Sequence, residues 1–202
     1  MTRTADGLDA HARDRLLRRG FILEWATLGW NVVGVAVLGT AALVARSVAL
    51  AGFGLDSLIE ISASIVVISE LSGHGEARHR RALRLIGVAF AVLAVYLAVQ
   101  STLALASGYH ADHSPAGIAW TATTAGVMFT LAVGKARTGA ALNNPVLRTE
   151  GRVTLIDGVL AAAVLLGLVL NSTAGWWWAD PLAAYVLVYY GTREARTALT
   201  TH

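Results

Sequence analysis

Long apolar runs, separated by short polar stretches, dominate this sequence. Six runs are long enough to cross a bilayer as α-helices, which takes about 17–25 residues each. They cover residues 21–45, 48–70, 82–107, 116–137, 151–171 and 179–196. The three prolines, Pro115, Pro145 and Pro181, lie between runs or at the start of one, where proline does not interrupt a helix. The pattern predicts an all-α integral membrane protein with six transmembrane helices.

The polar segment before the first run is basic and amphipathic. Apolar residues recur there at every fourth position from Leu8 to Leu16, among His11 and four arginines. This is typical of a short helix on an anionic membrane surface. The first run is too long for a cleaved signal peptide. We therefore expect an N-terminal segment (1–20), a six-helix domain (21–197) and a short tail (198–202), with no soluble C-terminal domain.

The composition agrees with a membrane protein and excludes several other classes. The chain has 202 residues, of which 55% are apolar and only 14% charged, too few charges to cover a soluble domain. It contains no cysteine, which excludes thiolate metal sites and disulfides. The basic residues are scattered between apolar runs rather than gathered into a patch, so we expect no nucleic-acid partner.

The basic residues also predict an orientation. If the six runs alternate across the membrane, every Lys and Arg except Arg46 falls on the side that holds both termini. The positive-inside rule then places both termini in the cytoplasm of a multi-pass protein, in a bacterial-type inner or plasma membrane. Trp176, Trp177 and Trp178 fall on the opposite side, where aromatic belts lie.

Four acidic residues inside the membrane need an explanation, and three of them lie well away from the ends of these runs. Asp56 and Glu60 are one helical turn apart in the second run, and Asp157 lies in the fifth. A carboxylate near the bilayer centre costs about 2.5–3.5 kcal/mol. We expect Lys135, near the end of the fourth run, to extend towards the headgroups. Since no Lys or Arg occupies the middle of any run, the three carboxylates lack a partner, and their pattern favours a site for metal ions or protons over a structural ion pair.

Three further residues are possible accessory groups. Glu24 and Asn31 share one face of the first run, and Glu150 shares a face of the fifth with Asp157. For Glu24 the alternative is a headgroup contact or a pair with an arginine. For Glu150 it is a solvated charge beside neighbouring arginines. We expect Asn31 to form hydrogen bonds between helices rather than to bind a metal.

The remaining polar groups favour structural interpretations. We expect Asp180 to cap the N-terminus of the sixth helix, with Pro181 at its first position. Two loop clusters contain possible metal ligands, but short polar loops carry such residues by chance. These clusters are His110, Asp112 and His113 on the outer side, and His74, Glu76 and His79 on the inner side. No nucleotide-binding, haem or nucleophile motif is present, so we do not expect an enzyme.

Several of these residues together resemble the cation diffusion facilitator family. The segment from Ser47 to Glu60, SVALAGFGLDSLIE, is similar to the family's second helix, S-L-A-L-x-A-D-x-x-[HD]-x-x-x-D. The segment from Glu150 to Asp157, EGRVTLID, resembles its fifth helix, and D-P-L-A-A resembles the start of its sixth. The resemblance covers roughly residues 20–195.

The resemblance implies metal ligands at Asp56, Glu60 and Asp157, and a homodimer. Three features depart from the family. Val153 stands where a His or Asp ligand is usual, Glu60 replaces a shorter Asp, and the usual cytoplasmic domain does not follow the sixth helix.

We therefore expect a transporter of divalent metal cations that exchanges them for protons and holds no permanent cofactor. Oxygen ligands are compatible with Mn²⁺, Fe²⁺, Co²⁺ or Zn²⁺. The alternative is a non-transporting regulatory or assembly membrane protein that kept the fold with an incomplete site, which Val153 favours. A membrane-embedded enzyme is a third hypothesis, and the absence of a recognisable catalytic motif weakens it.

Overall fold

The structure, a computed structural model, describes residues 10–71 and 76–200, which form six α-helices joined by short connections. These are α1 (Ala10–Ala45), α2 (Val48–Leu71), α3 (Glu76–Ser107), α4 (Pro115–Ala141), α5 (Pro145–Ala174) and α6 (Ala179–Thr200). The predicted all-α, six-helix fold is confirmed.

The helices extend beyond the predicted runs, mainly at the end of the bundle where α4 ends and α5 begins. Pro145 opens α5 six residues before the predicted start, and the Asn144 side chain accepts a hydrogen bond from the Leu147 N–H at 3.1 Å. At the other end of the chain, α1 continues through Gly20 without a break. The separate short helix expected there is therefore wrong for residues 10–20, because Gly20 keeps helical geometry and lies against Leu147.

Large apolar side chains cover much of the surface of the bundle, and several charged side chains are buried among the apolar residues of its interior. Leu43 is 82% exposed and Leu85 is 70% exposed, whereas Glu24 and Asp56 are buried. In the described part of the chain, five helices, α1 to α5, are long and apolar enough to span a membrane. The chain is therefore a multi-pass membrane protein.

The sixth helix is less apolar than the other five. It carries Asp180 in its first turn, and Arg193, Glu194 and Arg196 towards its end. Its crossing of the membrane, and the cytoplasmic location of both termini, stay predictions.

Neighbouring helices pack most closely as the pairs α1 with α2, α3 with α6, and α4 with α5. The α4–α5 contact depends on Gly151, where a Cβ atom would lie 2.9 Å from the backbone nitrogen of Ala136. Small residues allow such backbone contact between membrane helices. The close approach brings Lys135, the residue before Ala136 on α4, beside Glu150 on α5.

Asp180 caps a different helix from the one expected. It lies inside the first turn of α6, and its carboxylate accepts hydrogen bonds from the Ser47 hydroxyl and from the Val48 N–H at 3.0 Å. The expectation that it caps α6 is wrong, because the chain reverses so that Asp180 faces the N-terminus of α2. Free N–H groups and a positive dipole end make that position favourable for a carboxylate.

Candidate functional site

Helix α2 carries the pair of carboxylates that the sequence singles out. Asp56 and Glu60 are 4% and 3% exposed, so both lie inside the bundle rather than against lipid. Their spacing of four residues places them one turn apart on the same face. The Glu60 Oε2 atom is buried and has no hydrogen-bond partner among the described residues. A buried carboxylate oxygen without a partner is costly and is a natural position for a bound cation or proton.

Asp157 on α5 joins this pair. Asp56, Glu60 and Asp157 all line one small cavity, together with apolar residues of α3 and α5. The cavity has a volume of about 20 Å³, enough for one water molecule or one small ion. The structure thus brings the three predicted ligands to a single cavity.

A fourth carboxylate in the cavity wall was not predicted. Glu194 on α6 lines the cavity with Tyr190 and Gly191, and acts electrostatically on Asp56. In the sequence, Glu194 stands between Arg193 and Arg196, a pattern typical of a helix end exposed to water, and for this reason it was not predicted to face the cavity. The sequence contains one indication that Glu194 faces inward: Tyr190 and Glu194 are four residues apart and therefore share a face of α6.

The cavity does not hold a preformed metal-binding geometry. Within residues 10–71 and 76–200, no three Asp, Glu or His side chains lie close enough together to hold a metal ion in this conformation. Ligation would require the carboxylates to turn towards a common centre. Val153, at the position where the resembling family places a ligand, also lines the cavity and adds an apolar surface to it.

Lys135 forms a second polar cluster next to this cavity. Its Nζ donates to Glu24 Oε2 at 3.1 Å and to Glu150 Oε1 at 3.2 Å, and its side chain is fully buried. The expectation that Lys135 extends to the headgroups is wrong. Helix α4 continues to Ala141, so Lys135 lies more than a turn inside the helix end and points into the bundle.

Lys135 also changes the argument about counter-ions. The sequence indicated no basic partner inside the bundle, but Lys135 acts electrostatically on both Glu60 and Asp157. It is hydrogen-bonded to Glu24 and Glu150 rather than to these two carboxylates. Asp56, Glu60 and Asp157 therefore feel the charge of Lys135 without forming an ion pair with it.

The three accessory residues have different surroundings from those expected. Glu24 is paired with Lys135 rather than with an arginine or a headgroup, and Glu150 is buried rather than solvated. The Asn31 side chain donates to the Thr27 carbonyl oxygen of its own helix at 3.2 Å. Neither Glu24, Glu150 nor Asn31 lines the cavity. Their direct role in metal binding stays a prediction.

Among the described residues, the outer loop cluster of His110, Asp112 and His113 forms no metal-binding group. On the outer side, the His110 ring packs on Trp177 with centroids 5.2 Å apart, and the Asp112 N–H donates to the Ala45 carbonyl oxygen. Nearby, Trp176 stacks on Trp178 with centroids 5.0 Å apart, and both are partly exposed. Their place in an aromatic belt stays a prediction. On the inner side, His74 and the side chains of Glu76 and His79 lie outside the described residues.

Comparison with known proteins adds no assignment. No protein-family model matches this chain, and no curated protein matches it. The resemblance to the cation diffusion facilitators therefore rests on the residues quoted above.

Proposed function

We propose that this protein carries divalent metal cations across a membrane in exchange for protons. The observation that carries the proposal is the cavity lined by Asp56, Glu60, Asp157 and Glu194 inside an apolar bundle. Membrane proteins retain buried carboxylates where ions or protons pass, because the groups are otherwise costly. The resemblance to the cation diffusion facilitators supports the same assignment.

The chemistry of the cavity suits a divalent ion. Its acidic side chains present only oxygen ligands, which suit Mn²⁺, Fe²⁺, Co²⁺ and Zn²⁺ in a site without thiolate or imidazole. A volume of about 20 Å³ limits the cavity to one ion at a time. The carboxylates would turn inward as the ion binds and loses its hydration shell.

Exchange for protons follows from the same charges. When a divalent ion leaves, several carboxylates remain close together where water is scarce. Their mutual repulsion favours the uptake of protons, so metal and protons compete for one site. In a cell with an inward proton gradient, this competition drives the metal out of the cytoplasm.

The test is uptake of Mn²⁺, Fe²⁺, Co²⁺ and Zn²⁺ into proteoliposomes with an imposed pH gradient. Wild type is compared with Asp56→Asn and Asp157→Asn, and with Asp112→Asn as the matched control, since Asp112 is exposed on the outer loop. We expect gradient-dependent flux in wild type and the control, and none in the two cavity variants. Flux that is independent of the pH gradient would overturn proton exchange.

Val153 supports the second candidate, a regulatory or assembly protein that does not transport. It gives the cavity an apolar wall at the position where the cation diffusion facilitators have a ligand, and no three ligands are preassembled among the described residues. Absence of flux for every ion, with the protein folded, would favour this function.

A further inference from the structure

Lys135 is a basic residue buried inside the bundle and bound to two carboxylates. It joins three helices, because its own helix is α4 while its partners Glu24 and Glu150 lie on α1 and α5. The side chains of Lys135 and Glu24 are fully buried, and that of Glu150 is 6% exposed. We call these three residues the lysine cluster.

The lysine cluster lies beside the cavity, nearer the end of the bundle where α5 begins. Glu150 and Asp157 are on one face of α5 and two turns apart, which is about 10 Å along the helix axis. Glu150 and Lys135 both act electrostatically on Glu60 and Asp157. The two groups of carboxylates are therefore neighbours in one polar interior.

The charges of the lysine cluster do not cancel when both carboxylates are ionised. One ammonium group faces two carboxylates, and Glu24 Oε1 is buried without a hydrogen-bond partner in the described part of the chain. Without Lys135, Glu24 and Glu150 would be two buried carboxylates on either side of the space that its ammonium group occupies, with no counter-ion between them.

We propose that Lys135 is a built-in counter-cation that reserves Glu24 and Glu150 and so confines a transported divalent ion to the cavity of Asp56, Glu60 and Asp157. This inference rests on the proposed function for the identity of the ion. It makes Lys135 a specificity-determining residue that sets how many divalent ions the protein holds. Lys135 itself does not ligate the ion.

The experiment counts the Mn²⁺ ions bound per full-length chain in detergent, by equilibrium dialysis and metal analysis. Wild type is compared with Lys135→Met, which keeps most of the length of the unbranched side chain and removes its charge. A triple variant, Lys135→Met with Glu24→Gln and Glu150→Gln, keeps the shape of the cluster without charge. We expect Lys135→Met to bind one more Mn²⁺ ion per chain than wild type, and the triple variant to return to the wild-type number.

An equal number of Mn²⁺ ions in wild type and Lys135→Met, with both proteins folded, would overturn the inference. If Lys135→Met folds but is too unstable for dialysis, its Tm is measured with and without Mn²⁺. The inference requires that Mn²⁺ raises this Tm more than that of wild type or of the triple variant. An equal rise in all three proteins would overturn it.

The same measurement separates the inference from the proposed function. Binding of Mn²⁺ to Lys135→Met but not to wild type would support the reserved pair and contradict the cavity as a metal site. Binding of one ion to both proteins would leave the transporter in place and overturn the role of Lys135. Binding to neither would overturn both.

Discussion

The ammonium group of Lys135 lies 3.1 Å from the Glu24 carboxylate, and neither side chain is exposed. Removing one partner of a buried ion pair leaves the other charge without compensation, which costs about 3–5 kcal/mol. We therefore expect Lys135→Met to lower the free energy of unfolding by about 3–5 kcal/mol. Denaturant titration in detergent measures this change.

The control for this prediction is Lys135→Met combined with Glu24→Gln and Glu150→Gln. Because it removes the uncompensated charges, it should recover most of the lost stability. If the triple variant is as unstable as Lys135→Met, the loss comes from packing of the lysine side chain rather than from its charge.

Glu194 is the acidic residue of the cavity that the sequence did not indicate, and it provides the second prediction. Glu194→Gln should weaken metal binding by about 10–100-fold, the range measured when groups that support metal ligands are removed. The matched control is Arg196→Gln, which changes an exposed charge two residues away on the same helix. Metal titration of both variants checks the prediction, and equal affinities would exclude Glu194 from the site.

The sequence predicted the centre of the site better than its borders. Asp56, Glu60 and Asp157 stand deep inside apolar runs, where a carboxylate exposed to lipid would cost free energy. The sequence alone therefore predicts that they face the interior of the bundle. Lys135 and Glu194 stand near the ends of runs. A charged side chain near the end of a run can be solvated by water or headgroups, so the sequence does not require it to be buried. Only the rotation and packing of the helix decide whether it points inward.

The helix boundaries illustrate the same limit. Runs of apolar residues locate the spans, but helices continue into polar segments as long as their backbone groups are satisfied. Asn144 caps α5 and so starts it six residues before the apolar run, which places Glu150 inside the bundle. Asp180 shows a second limit. Its carboxylate can cap a helix, but it caps α2, which tertiary packing brings to it, rather than α6, to which it belongs.

The contact of α4 with α5 at Gly151 provides the third prediction. A methyl group at Gly151 would meet the Ala136 nitrogen at 2.9 Å and the Ala132 carbonyl oxygen at 3.2 Å, both of which are backbone atoms. Gly151→Ala should therefore destabilise the protein by about 1–3 kcal/mol through overpacking. It should also weaken the ion pair between Lys135 and Glu150.

Gly126→Ala is the matched control for Gly151→Ala. It lies on α4 with nothing within 4 Å of its added methyl group. Alanine has the higher helix propensity, so this control should be neutral or stabilise by up to about 1 kcal/mol. Denaturant titration compares the two variants, and equal stabilities would mean that the helices separate without cost.

The hydrogen bond between Ser47 and Asp180 provides the fourth prediction. Because Asp180 caps α2, Asp180→Ala should cost about 1–2 kcal/mol of stability. The Ser47 hydroxyl donates to Asp180 and also accepts from the Leu50 N–H at 3.0 Å. The losses from Ser47→Ala and Asp180→Ala should therefore not be additive, which a double-mutant cycle measures. Additive losses would mean that the two side chains stabilise α2 independently and that their mutual hydrogen bond contributes nothing.

Val153 provides the last prediction, and it separates the two candidate functions. Val153 lines the cavity one turn before Asp157 on the same face of α5, so Val153→His would add an imidazole nitrogen to an all-oxygen site. Imidazole suits Co²⁺ and Zn²⁺ better than Mn²⁺. We expect the affinity for Co²⁺ to rise about tenfold or more, equivalent to about 1.4 kcal/mol.

The matched control is Val159→His, since Val159 lies on the same helix but is 38% exposed on its outer surface. The absorption of bound Co²⁺ reports a nitrogen ligand directly, and equal spectra and affinities in the two variants would exclude Val153 from the site.

If wild type transports, tighter binding in Val153→His should slow release of the ion and lower the maximal flux. If wild type is silent and Val153→His binds or carries Co²⁺, then the valine is what inactivates the site, and the regulatory function gains its strongest support.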